Sequence, residues 1–303
     1  MTKCIWSLIC LFVLVSCGTQ KRMAAAKKSL DAYNQSKTIE LSRLDSLKQL
    51  VNQKEQKGHL EDTLSTQSEI LIKRLQETIE AEAKGADYIA QTLTDKKTFR
   101  KAYKSEIQAR LIELDTFNNR SGKREQVYQM LTDAINITSY NLFSLAAFFD
   151  PGVYRVAPEN TDKVEKLFSP VIDSIARFSN KYKNIPHKAV IVLLGYADEQ
   201  AIPDGTVLYK TLVEILKNPA PSQQLLNKQL SEFRAKELLR NLKFLMTQNA
   251  GRFTNYNNLK IGYVANGRGE EYPFAHITDY RPDDDRRRIV LCYWLILPDI
   301  KEK

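Results

Sequence analysis

The chain has 303 residues and a mass of 34.8 kDa, enough for two domains that each bury a core. With 43% hydrophobic and 27% charged residues it is not a disordered, collagen-like or multi-span membrane chain, whose compositions lie far from these values. The formal net charge of +9 favours anionic partners, but the basic residues do not gather into an aromatic-interleaved stripe, so nucleic acid is not expected among them.

Residues 1–17, MTKCIWSLICLFVLVSC, set one Lys ahead of an apolar run from Ile5 to Val15 that stops at small residues, the pattern of a signal peptide. The run is short for a hydrocarbon core of roughly 30 Å and lacks a stop-transfer charge pattern just inside it. Leu14-Val15-Ser16-Cys17 resembles the lipobox of bacterial lipoproteins. The resemblance implies removal of residues 1–16, diacylglycerol on the Cys17 thiol and a further acyl chain, such as palmitate, on the new amino terminus. At roughly 0.8 kcal/mol per buried methylene, such chains hold a protein on a bilayer almost indefinitely. Gly18 stands where the inner-membrane retention signal would place Asp, so the resemblance implies the outer membrane. No acidic cluster follows in Gly18 to Arg22, which favours the periplasmic side. Residues 17–24 then form a lipidated tether.

With Cys4 and Cys10 in the leader and Cys17 acylated, Cys292 alone remains, so neither a disulfide framework nor a CxxC metal site is available. Cys292 lies in the apolar run IVLCYWLIL and is expected as a buried, inert thiol.

All ten prolines lie at or after Pro151, and between Thr19 and Ser121 the only glycines are Gly58 and Gly85. A stretch so poor in helix breakers is expected to be helical. Leu41, Leu44, Leu47, Leu50 and Val51 recur at three and four, as do Leu64, Leu71, Leu75 and Ile79, then Tyr103, Ile107, Leu111 and Leu114. The spacing predicts helices over 25–56, 60–84 and 86–118, broken at Gly58 and Gly85, with a turn at Asn118 to Gly122. The stripes are narrow and flanked by polar residues, as in a coiled-coil-like region. Residues 25–120 therefore read either as a stalk that oligomerises and lifts the rest off the membrane, or as a plain helical bundle.

Residues 140–303 read differently. Asn141 to Phe149 predicts a strand closed by a turn at Asp150-Pro151-Gly152. Pro158 to Thr161 opens a helix that carries Val164, Leu167, Phe168, Val171, Ile172 and Ile175 on one face. Ala189 to Leu194 reads as a central strand, Ser222 to Gln248 as a helix, and Lys260 to Ala265 and Arg288 to Leu297 as strands. The order β-α-β-α-β-β predicts an α+β fold with a mixed sheet covered on one side by helices.

The second strand ends Gly195-Tyr196-Ala197-Asp198, and the helix contains Asn227-Lys228-Gln229-Leu230-Ser231-Glu232-Phe233-Arg234-Ala235. Next come Gly267-Arg268-Gly269-Glu270-Glu271-Tyr272-Pro273 and Arg286-Arg287-Arg288-Ile289-Val290. In this order the four motifs resemble the OmpA-like peptidoglycan-binding domains of outer-membrane proteins, peptidoglycan-associated lipoproteins and flagellar stator proteins. The resemblance implies non-covalent binding of the diaminopimelate of a stem peptide, with Asp198 and Arg234 as the principal charged contacts and Asn227 beside them. The chemistry is sensible: a free amino-acid end presents an ammonium for a carboxylate and a carboxylate for a forked guanidinium. Leu230, Arg234, Leu238 and Leu242 form one i, i+4 row, so Arg234 interrupts an apolar stripe and needs a partner. The alternative partner is Asp198 itself, in an internal ion pair.

The sequence also departs from the family. Ala197 stands for its Thr and Tyr196 for its His, and the segment between Asp198 and Asn227 is far longer. This insertion, 199–224, carries Leu208, Leu212 and Ile215 at helical spacing and either extends or blocks the pocket. Asp283-Asp284-Asp285 reads as a solvated turn in preference to a calcium site. No P-loop, HExxH or GxSxG occurs, and His59, His187 and His276 are scattered, so neither an enzyme, a cofactor nor a metal is expected. Two functions follow: a lipoprotein that ties the outer membrane to peptidoglycan, or an envelope scaffold whose helical region meets copies of itself or another envelope protein.

Overall fold

The structure, a computed structural model, describes residues 2–144, 149 and 153–300; for 2–17, Cys17 included, and for 258 it describes the backbone alone. The expected turn at 150–152 lies outside the described residues. No helix among the described residues is long and apolar enough to cross a membrane. The chain divides into two compact units, one of Met1–Gln49 with Glu69–Gln129, the other of Leu50–Ser68 with Met130–Lys303.

The first unit is helical, drawn from α1 (Thr2–Gln56), α2 (Asp62–Leu93), α3 (Lys96–Ala102), α4 (Gln108–Asn119) and α5 (Ser121–Ile137). Ala26, Leu30, Tyr33, Glu40, Leu44 and Leu47 are buried at spacings that fit a seam of period seven. Tyr33 donates from its hydroxyl to the Ile79 carbonyl at 3.1 Å and packs edge-on to Phe117, which ties α1 to α2 and α4. Glu40 is the one carboxylate in that seam. Arg124 donates to it from Nε at 2.9 and 3.0 Å and from Nη2 at 2.7 Å, and the Tyr128 hydroxyl donates at 2.7 Å. A carboxylate this buried is tolerated only when fully paired, and its pairing fixes the register of α5 on α1.

The expected break at Gly85 is absent, since α2 runs through it. A single glycine costs a helix only about 1 kcal/mol, and packing outweighs that. The helix ends instead before Asp95, whose carboxylate caps α3 by accepting from the Lys97 and Thr98 amides at 3.2 and 2.8 Å. A π-turn at Tyr103–Ile107 then shifts the helical phase, so Ile107 and Leu114 are buried while Tyr103 and Leu111 are only half-buried. The turn near residue 120 is present, but α5, which follows it, was not predicted.

The second unit is α+β, as the sequence predicts. Its elements are β1 (Tyr140–Ser144), α6 (Thr161–Lys181), β2 (His187–Tyr196), α7 (Val207–Leu216), α8 (Gln223–Gln248), β3 (Lys260–Gly269) and β4 (Ile289–Pro298). The sheet order is β1-β4-β2-β3, with β2 and β3 parallel and β4 antiparallel to both β1 and β2. Of the expected strand to Phe149, β1 is described as far as Ser144; 145–148 lie outside the described residues, and Phe149 is not in a strand. Leu167 and Ile215, expected on apolar faces, are exposed.

The sheet is covered on both faces, not one. Phe143 meets Phe168 of α6 at 4.8 Å, and α8 lies along β2 and β3 on that same side. Side chains alternate along a strand, so Tyr140, Tyr196 and Tyr293 point the other way. There the Tyr293 hydroxyl donates to the Gly58 carbonyl at 3.3 Å, Tyr140 packs near His59, and Arg268 lies 3.7 Å from Glu61. The corner between α1 and α2 thus belongs to this unit's core. All ten residues of β4 are buried, and Cys292 is pushed by burial up to about 12, an inert thiol as expected.

Each large side chain uncovered costs about 1.5–3 kcal/mol. A fragment of residues 130–303, which leaves Tyr140, Tyr196 and Tyr293 uncovered, is therefore expected to unfold at lower denaturant than the 18–303 chain. Trp294, the one tryptophan of both, reports the transition. Equal midpoints would show that Leu50–Ser68 adds nothing to this core.

Candidate functional site

The four motifs converge at the carboxyl ends of β2 and β3, where α8 comes against the sheet closely. A Cβ on Gly195 would lie 2.1 Å from the Ser231 carbonyl oxygen, and one on Gly267 would lie 2.3 Å from that of Lys228. Only glycine fits under the helix at either position. Ser231, fully buried, joins the layers: its hydroxyl donates to the Lys228 carbonyl at 2.8 Å and accepts from the Gly269 amide at 3.0 Å. Gly269 adopts φ +58°, and its carbonyl accepts from the Ala197 amide at 2.7 Å, which turns the chain after β2 toward Asp198.

Asp198, two residues after β2, and Arg234 of α8 are each only 6% exposed. They are not joined in an ion pair. Arg234 donates from Nε to the Val153 carbonyl at 3.2 Å, and its guanidinium stands 5.6 Å from the centre of the Phe149 ring. The group nearest Asp198 is instead Arg288, a residue to which the sequence reading gave no role, whose Nε lies 3.6 Å from Oδ2. Neither Asp198 Oδ2 nor Arg288 Nε has a hydrogen-bond partner, although both are buried. The one signal for Arg288 in the sequence was its place in the triplet ahead of β4.

The charges feel one another. Burial raises the Asp198 carboxyl above its ordinary value, against the pull of Arg288, a backbone amide and Arg234. Burial lowers Arg234 to about 10, against Asp198 and with Arg288. The site therefore holds a carboxylate with one oxygen short of a donor, flanked by two guanidiniums. Such a set can take an ammonium at Asp198 and a carboxylate at the guanidiniums.

Asn227 holds the frame of the pocket. Its amide donates to the Gln200 carbonyl at 3.2 Å and to Glu270 Oε1 at 2.8 Å, which ties the first turn of α8 to the chain after β2 and to the loop after β3. Arg287, 1% exposed, is the second strut: it donates to Glu199 Oε1 at 2.6 Å and to the Glu270 carbonyl at 2.5 Å. The insertion packs on α8 beside the row that carries Arg234. Its Ile202, Leu208 and Leu212 form a small core with Leu226 and Leu230 on α8, and Tyr154, Tyr209 and Phe233 pack against it. Of the expected solvated turn, Asp283 and Asp285 are exposed, but Asp284 is buried and caps a short 3-10 turn, accepting from the Arg286 amide and guanidinium. Arg286 holds its carboxyl well below the usual carboxylate range. No cluster of acidic, His or Cys side chains among the described residues is arranged to hold a metal.

At the other end of the sheet a polar cleft is lined by Ser179, Lys183, His187, Thr254 and Asp299 among others. His187 Nδ1 lies 2.6 Å from the Ile185 carbonyl, an arrangement in which it donates and Nε2 accepts from the Ser179 hydroxyl at 2.7 Å. Both ring nitrogens are thereby used within the fold.

No protein-family model matches the chain, and no curated protein sequence matches it. Among solved structures the chain is similar to a MotB-like protein from Desulfovibrio vulgaris, at 15% identity and a TM-score of 0.30, over 57% of this chain and 94% of that one. This is a loose likeness and carries no function with it.

Gly195→Ala is expected to lose about 1–3 kcal/mol of stability, because the Ser231 backbone must move to admit the methyl group. A denaturant midpoint unchanged from the native protein would contradict the close approach. The raised Asp198 carboxyl gives a second test. Its contribution to stability is fully present below the unfolded value and declines as pH rises through the higher folded value. Thermal melts should therefore show Asp198→Asn gaining on the native protein as pH rises above the ordinary carboxylate value; parallel pH profiles would show that burial does not penalise the ionised form.

Proposed function

We propose that the second unit binds a zwitterionic amino-acid end in peptidoglycan, the diaminopimelate of a stem peptide, and that acylated Cys17 holds the protein on the periplasmic side of the outer membrane. The observation that carries the reading is the buried Asp198 oxygen left without a hydrogen-bond partner beside two guanidiniums. A buried polar group without a partner costs roughly 1–3 kcal/mol, a cost that a ligand ammonium removes. The order of the four motifs supports the same reading. In it, Asp198 receives the ammonium, Arg234 and Arg288 receive the carboxylate, and Asn227 acts as a positioning residue. The helical unit serves as the spacer between anchor and wall.

Binding is the function; no bond is made or broken. One pocket of this kind gives modest affinity, and membrane confinement against a repeating polymer raises it by avidity.

Retention of the 18–303 chain on purified sacculi tests the site. Asp198→Asn and Arg234→Met are each expected to weaken retention roughly ten- to a hundredfold, as loss of one charge-assisted bond of about 1.5–3 kcal/mol requires. Trp294 fluorescence checks that each variant is folded. Equal retention of all three proteins would leave the envelope scaffold as the better account. For the anchor, Cys17→Ser in cells fed labelled palmitate should carry no label and leave the membrane fraction; a labelled serine variant would overturn the lipid assignment.

A further inference from the structure

The helical unit gathers unopposed positive charge at one end. Between Gly18 and Leu30 the chain has Lys21, Arg22, Lys27 and Lys28 and no acid, and between Thr94 and Ser105 it has five basic residues and one acid. That acid, Asp95, is spent on capping α3. The two segments are neighbours in space. The Arg22 guanidinium stands 4.8 Å from the centre of the Tyr103 ring, and Tyr103 packs on Phe99, which is fully buried. Burial of Phe99 fixes how α3 is turned. At 3.6 residues per turn Lys97, Arg100 and Lys101 lie on the face opposite Phe99, with Lys104 next along it, and all four residues are exposed, as are Lys21 and Arg22. The same end carries Cys17. It stands five residues before Arg22 in α1, about 7.5 Å along a helix at 1.5 Å per residue.

We infer that this end of the first unit lies on anionic lipid headgroups of the leaflet that holds Cys17, with lipid phosphates against Lys97, Arg100, Lys101 and Lys104; this rests on the reading of Cys17 as acylated given above. Each basic side chain at such a surface strengthens binding roughly fivefold. The reach of the field favours this partner. At physiological salt a charge is felt over roughly 8 Å, and an acyl chain on Cys17 keeps the patch within about that distance of the headgroups, whereas a soluble anion must be captured from solution. The single aromatic of α3 is turned inward, so α3 offers the bilayer charge without an apolar wedge, and the contact is salt-sensitive. Acyl chains attach a protein but do not orient it. A charged face beside the anchor decides which side of the helical unit meets the bilayer.

The test uses the 18–303 chain, which carries no lipid, sedimented with vesicles of phosphatidylcholine alone or with phosphatidylglycerol mixed in. The native chain is expected to bind the mixed vesicles at low salt, to leave them at high salt, and to ignore phosphatidylcholine. The triple variant Lys97→Gln, Arg100→Gln, Lys101→Gln is expected to bind the mixed vesicles roughly a hundredfold more weakly, at about fivefold per charge. Gln preserves helix propensity, and an unchanged helical circular dichroism spectrum checks the fold. Lys163→Gln with Lys166→Gln, both exposed on α6, removes two charges elsewhere and should leave binding unchanged. Equal binding by the native chain and the triple variant, an equal loss in the α6 pair, or equal binding to both kinds of vesicle overturns the lipid contact and leaves the Cys17 reading intact. Vesicle binding that needs the α3 charges, in a protein whose Cys17 takes up no palmitate, supports the lipid contact and overturns the acylation instead.

Discussion

The approach of α8 to the parallel pair β2 and β3 is the constraint on which the second unit depends. Two glycines in register, Gly195 and Gly267, let the helix backbone sit against the strands where any side chain would collide with a carbonyl oxygen. That closeness lets one buried hydroxyl, Ser231, bond both its own helix and the end of β3. It also brings Arg234, one turn further along α8, to the level of the residues that follow β2. The motif residues are thus of two kinds. The glycines, Ser231 and Asn227 set the distance between layers and pin the loops, while Asp198, Arg234 and Arg288 gather buried charge at the end of the sheet.

The second unit was largely legible in the sequence because its signals are local and strong. Pro and Gly punctuate it, the apolar run around Ala189 marks a central strand, and Ser222 caps α8 with its hydroxyl accepting from the Leu225 amide. The covering of the sheet's second face was not legible. Tyr140, Tyr196 and Tyr293 are buried by a helical corner distant in sequence, and no periodicity within β1, β2 or β4 announces what lies across a sheet. Gly85 misled because an isolated glycine weakens a helix by less than tertiary packing strengthens it, and the π-turn at Tyr103–Ile107 is a change of phase that apolar spacing reads as noise. At the candidate site, Asp198 and Arg234 were singled out by chemistry and motif order. Arg288 was missed because three consecutive arginines look alike, and only the fold separates their roles: Arg286 braces a turn, Arg287 is a buried strut, and Arg288 faces Asp198.

The insertion also follows a physical logic. Residues 199–224 lengthen the connection between β2 and α8, and a long connection is tolerated when it buries apolar surface of its own. Leu208 and Leu212 of α7 do so against Leu226 and Leu230, and Gln223 clasps both the amide and the carbonyl of Ile202. The extra chain therefore packs on α8 at Leu226 and Leu230, while the groups that touch Arg234 come from the segment before α6.

The balance of charge around Asp198 would constrain a ligand of the proposed kind more narrowly than any single contact. Asp198 faces Arg288, but Arg288 is shared with Asp285 through its Nη2, so the two guanidiniums are opposed by one buried carboxylate and one exposed one. A ligand bearing only an ammonium would satisfy Asp198 while adding a third cation near Arg234 and Arg288, and the low local dielectric would magnify that repulsion. A ligand bearing only a carboxylate would satisfy the arginines and repel Asp198, whose carboxyl burial already disfavours in its ionised form. An amino-acid end carries both charges a few ångströms apart and leaves neither penalty standing. If the proposed reading holds, selectivity would come from the sign and order of these charges, and a neutral end, however well shaped, would leave the buried Asp198 oxygen and the Arg288 Nε without the partners they lack.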